Sequence, residues 1–369
     1  MKWSDKTQYL RYLVDKRGMK PVYLIVGLTY DCNSFCRTCF NWEQLRKDKE
    51  HELSLEELKK TFATMGEMLF VVMSGGEPFL RRDLPEVCET LSKENKVKQI
   101  TIPTGAIASD LIARSVEETL RRCPSTQIVV NLSIDHIGEK HDWIRGVPGN
   151  YERARKTYAL LMPLKARYPN FTVNVHTCLC TYNADDLDIL FEGVKRDFPE
   201  VSFHSFEMLR GDQPDKNIQP IATEKYRALL PKLEDYWSTY RNYDGFLKFV
   251  KVYSRRMELA VLEQETQVRP CHAGYISGVL DARGEVRMCE LRDAVGNVRD
   301  TNYDFTKLWF SEASDKQRAS IKAKECHCTH SCFMSSSLVF DWRTYAAYLG
   351  STVVSFLDFK PRTVEAVSS

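Results

Sequence analysis

Apolar and polar residues alternate along the first 210 residues in a repeating succession of strand and helix patterns. The predicted strands are Tyr23–Tyr30, Leu69–Ser74, Val97–Ile102, Gln127–Asp135, Phe171–Cys180 and Val201–Arg210. Helical periodicity fills 108–123, 151–168 and 184–198, and Ser54 with Glu57 forms a capping box before another helix. Strands that alternate with helices predict a parallel sheet with right-handed crossovers.

Six such units predict an α/β chain built on a partial (β/α)6 TIM-like barrel, followed by a small cysteine-rich domain of β-hairpin and helix. In such barrels the chemistry lies at the C-terminal ends of the strands. The predicted segments are an N-terminal extension with an amphipathic helix (1–22), the barrel (23–212), a helical linker (213–267), the cysteine-rich domain (268–335) and an aromatic-rich tail (336–369).

Polar side chains share one face of the fourth and fifth predicted strands. They are Asn131, Ser133 and Asp135 on the fourth strand, and Asn174, His176, Cys178 and Cys180 on the fifth. Because the outer face of a barrel strand packs under helices and favours apolar residues, we expect this polar face to point into the barrel.

Composition narrows the class of protein. Lys and Arg number 52 against 50 Asp and Glu, so the net charge of +2 gives no electrostatic case for nucleic acid or an anionic membrane as a partner. No apolar run is long enough to span a bilayer, and the N-terminus lacks the apolar core of a signal peptide. We therefore predict a cytoplasmic protein, in which the 12 cysteines are metal ligands or buried thiols rather than disulfides.

The stretch YDCNSFCRTCF places Cys32, Cys36 and Cys39 directly after the first strand, with the spacing C-x3-C-x2-C. A tetrahedral zinc site needs a fourth ligand, and nearby Asp31 is a poor partner for three thiolates. A [4Fe–4S] cluster held by three cysteines leaves one iron open to a ligand from outside the protein.

In this spacing and position the chain resembles the radical S-adenosylmethionine (SAM) enzymes. The resemblance implies a [4Fe–4S] cluster on Cys32, Cys36 and Cys39, whose open iron binds the amino and carboxylate groups of SAM. An electron from a donor such as flavodoxin or ferredoxin then cleaves SAM to a 5′-deoxyadenosyl radical. A zinc site or a chance cluster of cysteines is the alternative.

The stretch SGGEP follows the second strand, where the family holds the amino group of SAM. Gly75 and Gly76 permit close backbone approach to a ligand, and Glu77 can accept a hydrogen bond from an ammonium group. The stretch IPTG partly matches the T-N-G that family members carry after strand three. The family's aromatic residue before the third cysteine is replaced by Thr38, with Phe40 just after that cysteine.

Two further residues resemble SAM contacts of family members that carry extra clusters. Those members place a serine on SAM and, twelve residues later, an arginine on its carboxylate, and Ser133 and Arg145 have this separation. Asp135 lies on the same strand face as Ser133 and joins the predicted cofactor site. A solvated surface charge is the alternative for Arg145.

A second cysteine motif lies near the C-terminus. Cys271 and Cys289 stand in a C-x12-G-x4-C pattern with Gly284, and a hairpin through DARGEV would bring the two thiols together. The run CHCTHSC follows, with Cys326, Cys328 and Cys332.

This motif resembles the auxiliary-cluster domains of the family, named SPASM in the larger form and twitch in the smaller. The resemblance implies one auxiliary [4Fe–4S] cluster on Cys271, Cys289 and two of Cys326, Cys328 and Cys332. Pairing Cys332 with either Cys326 or Cys328 is feasible. A structural zinc ribbon is the alternative, in which His272, His327 or His330 could also bind.

Two residues are candidates for direct roles in catalysis. Glu290 follows Cys289, where sulfatase-maturing family members carry an acidic residue that acts as a base, and a surface carboxylate is the alternative. An inward thiol at Cys178 could donate a hydrogen atom to a substrate radical, as in radical epimerases, or simply fill a small buried position.

The sequence therefore predicts a radical SAM oxidoreductase that abstracts hydrogen from a substrate, with an auxiliary cluster that accepts an electron or binds substrate. Because about 22 residues precede the first strand, a leader-binding domain has no room, which favours a small-molecule or glycan-type substrate over a peptide. A peptide maturase, a radical epimerase, and a non-catalytic iron–sulfur or zinc scaffold are the alternatives. The SGGEP stretch argues against a scaffold, which needs no SAM site.

Overall fold

Nine strands form one sheet in the computed structural model, which describes residues 12–13, 15–45, 51–240 and 245–357, the last seven by backbone alone. The sheet order is β6-β5-β4-β3-β2-β1-β7-β8-β9, and β1 to β6 pair in parallel. The strands are β1 Tyr23–Thr29, β2 Phe70–Gly75, β3 Gln99–Thr104, β4 Gln127–Ser133, β5 Phe171–Leu179, β6 His204–Met208, β7 Ser277–Leu280, β8 Glu285–Arg287 and β9 Ala294–Asn297.

Helices connect the parallel strands and cover the outside of the sheet. They are α1 Leu55–Ala63, α2 Leu84–Lys93, α3 Ser109–Arg122, α4 Gly138–Arg145, α5 Asn150–Arg167, α6 Leu187–Asp197, α7 Thr223–Ser238, α8 Gly245–Gln264, α9 Phe305–Trp309, α10 Glu312–Lys322, α11 Ser331–Val339 and α12 Trp342–Leu357. The predicted alternation of strand and helix, and the α/β class, are thereby confirmed.

Element boundaries follow the sequence patterns closely, with two differences. β6 is shorter than the predicted 201–210, because it lies at the edge of the sheet and pairs on one side only. The predicted N-terminal helix falls mostly outside the described residues. The capping box of α1 is confirmed: the Glu57 backbone N–H donates to Ser54 Oγ at 3.3 Å, and the Ser54 N–H donates to Glu57 Oε2 at 2.8 Å.

Burial alternates along the central strands as the pattern predicts. On β5, Val173 and Val175 are fully buried under helices, whereas Asn174 and His176 on the opposite face are only half-buried. Cys178 shares the half-buried face, but Cys180 does not. β5 ends at Leu179, so the chain turns and buries Cys180 in a small satellite cluster with two apolar residues of the following loops, Leu209 and Ile218.

The cysteine-rich segment begins by extending the barrel sheet. β7 pairs in parallel with β1, from Tyr23 opposite Ser277 to Val26 opposite Leu280, and β8 returns antiparallel to β7. The predicted hairpin is confirmed, and Gly284, at φ +92°, takes the left-handed position in its turn. The hairpin therefore covers the free edge of β1.

The helical segment predicted as a linker packs against the barrel. The Trp237 indole N–H of α7 donates to the His204 carbonyl of β6 at 2.8 Å, and Tyr236 stacks on Phe191 of α6 with ring centroids 3.9 Å apart. Within the described residues, no helix is both long and apolar enough to cross a bilayer. The cytoplasmic location stays a prediction.

Candidate functional site

The loop that carries Cys32, Cys36 and Cys39 leaves the C-terminal end of β1 and is held by the last turn of α4. The Phe35 N–H donates to the Arg145 carbonyl at 3.2 Å, and the Arg37 N–H donates to the Ile144 carbonyl at 2.9 Å. The Ser34 N–H points back to Cys32 Sγ at 3.4 Å. The position of the cysteine loop is thus fixed by a helix more than a hundred residues further along the chain.

The three thiols of this loop are buried and interact electrostatically with one another. Burial raises the pKa of Cys32 to about 11 and that of Cys39 to about 12, and the neighbouring Cys36 charge adds to both shifts. Burial also raises the pKa of Cys36, against the attraction of the Arg145 charge. Buried thiols of this kind become thiolates when a metal takes up their charge.

A single zinc ion and a [4Fe–4S] cluster require different separations between their cysteine ligands. Two ligands of one zinc, each about 2.3 Å from it, lie at most about 4.6 Å apart. Among the described residues, Cys32, Cys36 and Cys39 do not form a set whose sulfur atoms all lie within 4.8 Å. The wider arrangement suits a [4Fe–4S] cluster, in which each cysteine binds a different iron.

Glu77, from the SGGEP stretch, is buried beside the end of β3. Its Oε2 accepts hydrogen bonds from Thr104 Oγ1 at 2.9 Å and from the Gly105 N–H at 2.8 Å, and its Oε1 accepts from the Phe79 N–H at 3.3 Å. Burial raises the pKa of Glu77, and these donors oppose the shift. The IPTG stretch therefore orients the Glu77 carboxylate.

Gly75 and Gly76 lie close to the backbone at the start of the cysteine loop, whereas the sequence predicted a close approach to a ligand. A Cβ on Gly75 would lie 2.2 Å from the Thr29 carbonyl oxygen, and one on Gly76 would lie 2.0 Å from the Asp31 carbonyl oxygen. The Gly76 and Glu77 N–H groups donate to these carbonyls at 2.7 and 2.8 Å. The glycines therefore join the SGGEP turn to the start of the cysteine loop.

Arg145 is a buried cation that faces the thiols rather than a solvated surface charge. Its side chain is 13% exposed, and Nη1 donates to Asp135 Oδ2 at 3.2 Å. Burial would lower the pKa of Arg145, but the charges of Cys36 and Asp135 outweigh burial and raise it. Its Nε is buried without a hydrogen-bond partner within the described structure, so one donor is left for an anionic ligand.

Asp135 holds Arg145 in place. Its Oδ1 accepts from the Cys178 N–H at 2.8 Å, so both of its carboxylate oxygens have partners from the protein. Asp135 is 1% exposed and lies two residues beyond the end of β4. Its contacts make it an orienting group for Arg145.

Four chain segments converge at Gly105. A Cβ there would lie 2.9 Å from Ser34 Oγ, 3.4 Å from Arg145 Nη2 and 3.6 Å from Glu77 Oε2. The cysteine loop, the SGGEP turn, the end of β3 and α4 therefore meet at the C-terminal edge of the sheet, where parallel barrels place their chemistry.

The interior faces of β4 and β5 add polar groups beside this point. Asn131 pairs with Asn174, and Ser133 pairs with His176, in adjacent rows of the sheet. The side-chain carbonyl oxygens of both asparagines are buried without a hydrogen-bond partner among the described residues. The two asparagines are therefore additional candidates for ligand contacts.

The C-terminal cysteines form a second group. Burial raises the pKa of Cys271 to about 11, with added repulsion from Cys328 and Cys326, and burial with repulsion from Cys328 and Cys271 raises the pKa of Cys289. Cys271, Cys326 and Cys328 also line one small cavity of about 60 Å³. Electrostatic repulsion therefore links the thiols of four cysteines, Cys271, Cys289, Cys326 and Cys328.

The thiol of Cys332 responds mainly to charges outside this group, and the two pairings that the sequence left open stay predictions. After burial, the charges that act most strongly on its thiol come from Glu207 and Arg210, and its pKa is raised to about 11. In the described part of the chain, Cys332, Glu207 and His330 are the one set of three whose ligand atoms all lie within 4.8 Å. Arg210 forms an ion pair with Glu207 and already balances its charge.

Glu290 belongs to this polar network and is not a surface carboxylate. Its Oε2 accepts from His330 Nε2 at 2.7 Å and from Arg210 Nη2 at 3.1 Å. Burial alone would raise the pKa of Glu290, but His330 and Arg210 outweigh burial and lower it. Glu290 is therefore ionised at neutral pH and able to accept a proton.

A cavity of about 500 Å³ lies between the barrel and the hairpin. Gly75 of the SGGEP turn and Glu290 both line it, together with aromatic Tyr30 and Phe40 and charged side chains of the hairpin. The cavity thus lies between the start of the SGGEP turn and the hairpin segment that leads to Glu290.

Cys178 packs against the satellite cluster of Cys180, Leu209 and Ile218. Burial raises the pKa of its thiol well above the usual value. This is the packing role that the sequence also allowed.

Sequence reasoning missed Glu207, Arg210 and Arg292, and it named His330 only as a possible zinc ligand and Thr104 only as part of the IPTG stretch. For Glu207 a signal was present, because it falls on the predicted sixth strand among apolar neighbours, as the polar residues of β4 and β5 do. For Arg292 no local pattern distinguishes it from a surface residue.

Comparison with known proteins agrees with this geometry. Residues 26–192 match the family described as the radical SAM superfamily. Relatives that align over most of the chain include an AdoMet-dependent heme synthase of Oleidesulfovibrio alaskensis, 24% identical over 82% of this chain and 78% of the relative, and an Fe-coproporphyrin III synthase of Methanosarcina barkeri, 23% identical over 86% and 79%.

Solved structures share the fold at low identity. anSMEcpe with bound AdoMet and the Cp18Cys peptide superposes with a TM-score of 0.60 at 15% identity, covering 91% of this chain and 98% of its own. Streptococcus suis SuiB bound to S-adenosylmethionine gives a TM-score of 0.58 at 15% identity, covering 86% and 72%. At this level of identity the likeness concerns the fold.

Proposed function

We propose that this chain, whose residues 26–192 form a radical SAM domain, is an enzyme that performs radical chemistry on a substrate bound in the cavity beside Glu290. When bound, the [4Fe–4S] cluster and SAM would supply the radical that abstracts a hydrogen atom. The observation that carries the proposal is the convergence of the Cys32–Cys39 loop, Glu77 and Arg145 at one point of the sheet edge.

In this proposal each side chain has a physical task. Cys32, Cys36 and Cys39 would hold the cluster, and the orphaned Nε of Arg145 would bind the carboxylate of SAM. Glu77, fixed by Thr104 and the Gly105 N–H, would accept from its ammonium group. Gly75, Gly76 and Asp135 would position these groups, and Ser133 stays a predicted SAM contact.

We further propose that Cys271, Cys289, Cys326 and Cys328 hold an auxiliary [4Fe–4S] cluster. Their mutual electrostatic influence supports this set over any pair that includes Cys332.

Glu290 would accept the proton that the substrate releases. It lines the cavity, is held by His330 and Arg210, and carries a lowered pKa that keeps it ionised. Loss of a general base typically slows a reaction by about 100-fold or more, so Glu290→Gln should slow product formation to that extent while SAM cleavage continues. Normal product formation by this variant would return Glu290 to a structural role.

A small polar metabolite or glycan-type molecule fits the cavity better than an apolar ligand, because charged side chains of the hairpin line it. Two of the relatives that align over most of the chain are named a heme synthase and an Fe-coproporphyrin III synthase, and these names also favour a metabolite. The peptide-bound structure of a fold neighbour supports the second candidate, a peptide-modifying enzyme.

Substrate class can be tested through SAM cleavage. Extract of the source organism is separated by dialysis into small molecules and macromolecules, and each fraction is added to reduced, reconstituted enzyme with SAM. Faster formation of 5′-deoxyadenosine with the small-molecule fraction alone supports a metabolite. Stimulation only by the macromolecular fraction, lost after protease treatment, would favour the peptide alternative.

The cofactor assignment is tested by iron analysis and SAM cleavage after anaerobic reconstitution. Two [4Fe–4S] clusters should give about eight irons and eight sulfides per chain. Cys36→Ala should abolish 5′-deoxyadenosine formation under dithionite, whereas Cys88→Ala, at a buried core position of α2, should retain it.

The same measurement distinguishes the auxiliary ligands. Cys328→Ala should reduce the iron content to about four per chain, and Cys332→Ala should leave about eight. The reverse result for these two variants would assign Cys332 as the ligand. Undiminished SAM cleavage by Cys36→Ala would contradict the radical SAM function as a whole.

A further inference from the structure

Arg292 lies between the substrate cavity and the second cysteine group. It follows β8 by five residues and lines the same cavity as Glu290. Its Nη2 donates to Cys326 Sγ at 3.3 Å and to Ser320 Oγ of α10 at 3.0 Å. A single guanidinium therefore contacts both the cavity and a thiol of the proposed auxiliary ligand set.

The guanidinium is held in this position from several sides. The Arg292 N–H donates to the Cys289 carbonyl at 3.1 Å, and its own carbonyl accepts from Arg287 Nη1 at 2.8 Å. Ser320, which accepts from Arg292, itself donates to Glu325. Because backbone and side chain are both fixed, the contact with Cys326 is a built feature of the site.

We propose that Arg292 is a positioning residue that raises the reduction potential of the auxiliary cluster, acting through Cys326; this rests on the proposed function. In the one-electron couple, a cluster gains one negative charge and no covalent bond forms or breaks. An N–H donor and a full positive charge next to a ligand sulfur stabilise the more negative, reduced state. The potential therefore lies higher with Arg292 than without it.

This position also gives the cavity a connection to the cluster. A ligand anion or hydroxyl in the cavity would share the guanidinium with Cys326 Sγ, and so would alter the same hydrogen bond. The cavity and the auxiliary cluster would therefore influence each other through Arg292.

The chain offers a matched control in Arg283. It lines the same cavity, but its Nη1 donates to Gln44 Oε1 at 2.8 Å and its guanidinium lies over the Tyr30 ring at 4.8 Å. Removing this arginine takes the same charge from the cavity without touching the Cys326 contact. Arg292→Lys keeps the charge of Arg292 but not its planar donor geometry.

The experiment is a reductive titration of the full-length, reconstituted enzyme followed by electron paramagnetic resonance, without substrate. The auxiliary signal is the one that survives in Cys36→Ala. We expect Arg292→Gln to lower its potential by at least about 59 mV, a tenfold change in the one-electron equilibrium constant. Arg292→Lys should give a smaller decrease, and Arg283→Gln should leave the potential unchanged.

Ser320→Ala provides a second route if Arg292→Gln fails to take up the cluster. It removes the group that orients Nη2 and keeps Arg292 itself, so the potential should fall by part of the Arg292→Gln shift. If both Arg292→Gln and Ser320→Ala leave the potential unchanged, the inference is overturned. If Arg292→Gln lacks the cluster, an unchanged potential in Ser320→Ala is enough to overturn it. An equal shift in Arg283→Gln would overturn it too, because the effect would then be one of general charge.

Iron content separates this failure from failure of the proposed function. About four irons in the wild-type chain would remove the auxiliary cluster and with it both proposals. About eight irons, with an auxiliary-cluster potential that does not change when Arg292 is substituted, would overturn the inference and leave the proposed function in place.

Discussion

At the scale of single residues, the site depends on polar groups whose partners come from distant parts of the chain. Arg145 illustrates this: its carbonyl fixes the cysteine loop, its Nη1 is held by Asp135, and its Nε has no partner among the described residues. A buried donor left unpaired costs about 1–3 kcal/mol unless a ligand completes it. The arrangement therefore fits an anion-binding role.

Arg145→Gln should weaken SAM binding without removing the adjacent cluster. The loss of a charged hydrogen bond and its ion pair costs about 3 kcal/mol, which corresponds to roughly 100-fold in Kd. Equilibrium dialysis with labelled SAM, together with iron analysis, measures both quantities. Asp135→Asn should show a smaller loss of affinity, because it only loosens Arg145.

Arg196→Gln is the matched control, since that side chain is 66% exposed on α6 and pairs with its neighbour Asp197. We expect wild-type affinity for SAM from this variant. Unaltered SAM affinity in Arg145→Gln, with iron retained, would contradict the assignment of Arg145 as the carboxylate contact.

At the scale of elements, helix α1 is attached to the C-terminal segment through one carboxylate. Glu57 completes the capping box and also accepts from Arg299 Nε at 2.8 Å and from Tyr303 Oη at 2.9 Å. The side-chain bond from Arg299 is the largest cause that lowers the pKa of Glu57, from 4.5 to about 2. The start of one barrel helix thus depends on residues about 240 positions later.

Glu57→Gln should destabilise the protein at neutral pH by about 2 kcal/mol, the typical value of a hydrogen bond to a charged group. The folded pKa lies below the unfolded value, so the carboxylate stabilises the fold fully above pH 4.5 and loses this contribution as the pH falls towards about 2. Urea denaturation at decreasing pH should therefore show the difference from wild type shrinking below pH 4.5.

Glu56→Gln is the control for this prediction. Its side chain is 72% exposed and pairs with Lys59, so its removal should change stability by less than about 0.5 kcal/mol. If the loss of unfolding free energy in Glu57→Gln does not depend on pH, the charge of Glu57 is not its cause.

At the scale of the whole molecule, the cysteine-rich segment is part of the barrel's core. Its side chains pack in the same apolar cluster as Leu24 and Val26 of β1. The Trp309 indole N–H also donates to the Met19 carbonyl at 2.9 Å, ahead of β1. The N-terminal and C-terminal thirds of the described chain are therefore joined by a shared sheet and a shared core.

A fragment of residues 1–267 should not fold cooperatively. It loses the β7 partner of β1 and large buried side chains of the common core, among them Leu280, Phe305, Trp309 and Phe333. At about 2 kcal/mol each, these four are worth about 8 kcal/mol, within the range of about 5–15 kcal/mol of a whole domain's stability.

Circular dichroism with thermal and urea denaturation, on the fragment and on the full chain without clusters, measures this difference. The full chain should unfold in one sigmoidal transition, and the fragment should show a broad, non-cooperative change or aggregate. A monomeric fragment with its own sharp transition would show instead that the barrel is an independent domain.

The amino-acid sequence by itself determined the features that depend on local pattern. Periodicity predicted the parallel strands and their helices, because side-chain alternation reports which face is buried. The spacing of Cys32, Cys36 and Cys39 and the SGGEP stretch predicted the cofactor site by resemblance to a known family, because ligands on one loop keep their separation whatever surrounds them. The hairpin between Cys271 and Cys289 was predictable for the same reason.

Only the tertiary structure decided which distant groups meet. Pairing of β7 with β1 and the contacts of Glu290 with His330 and Arg210 join segments far apart in sequence. No local pattern encodes such pairs, since packing of the whole core sets their distance. Cys326 and Cys332 look equivalent along the chain, and they differ because one faces Arg292 and the other faces Glu207.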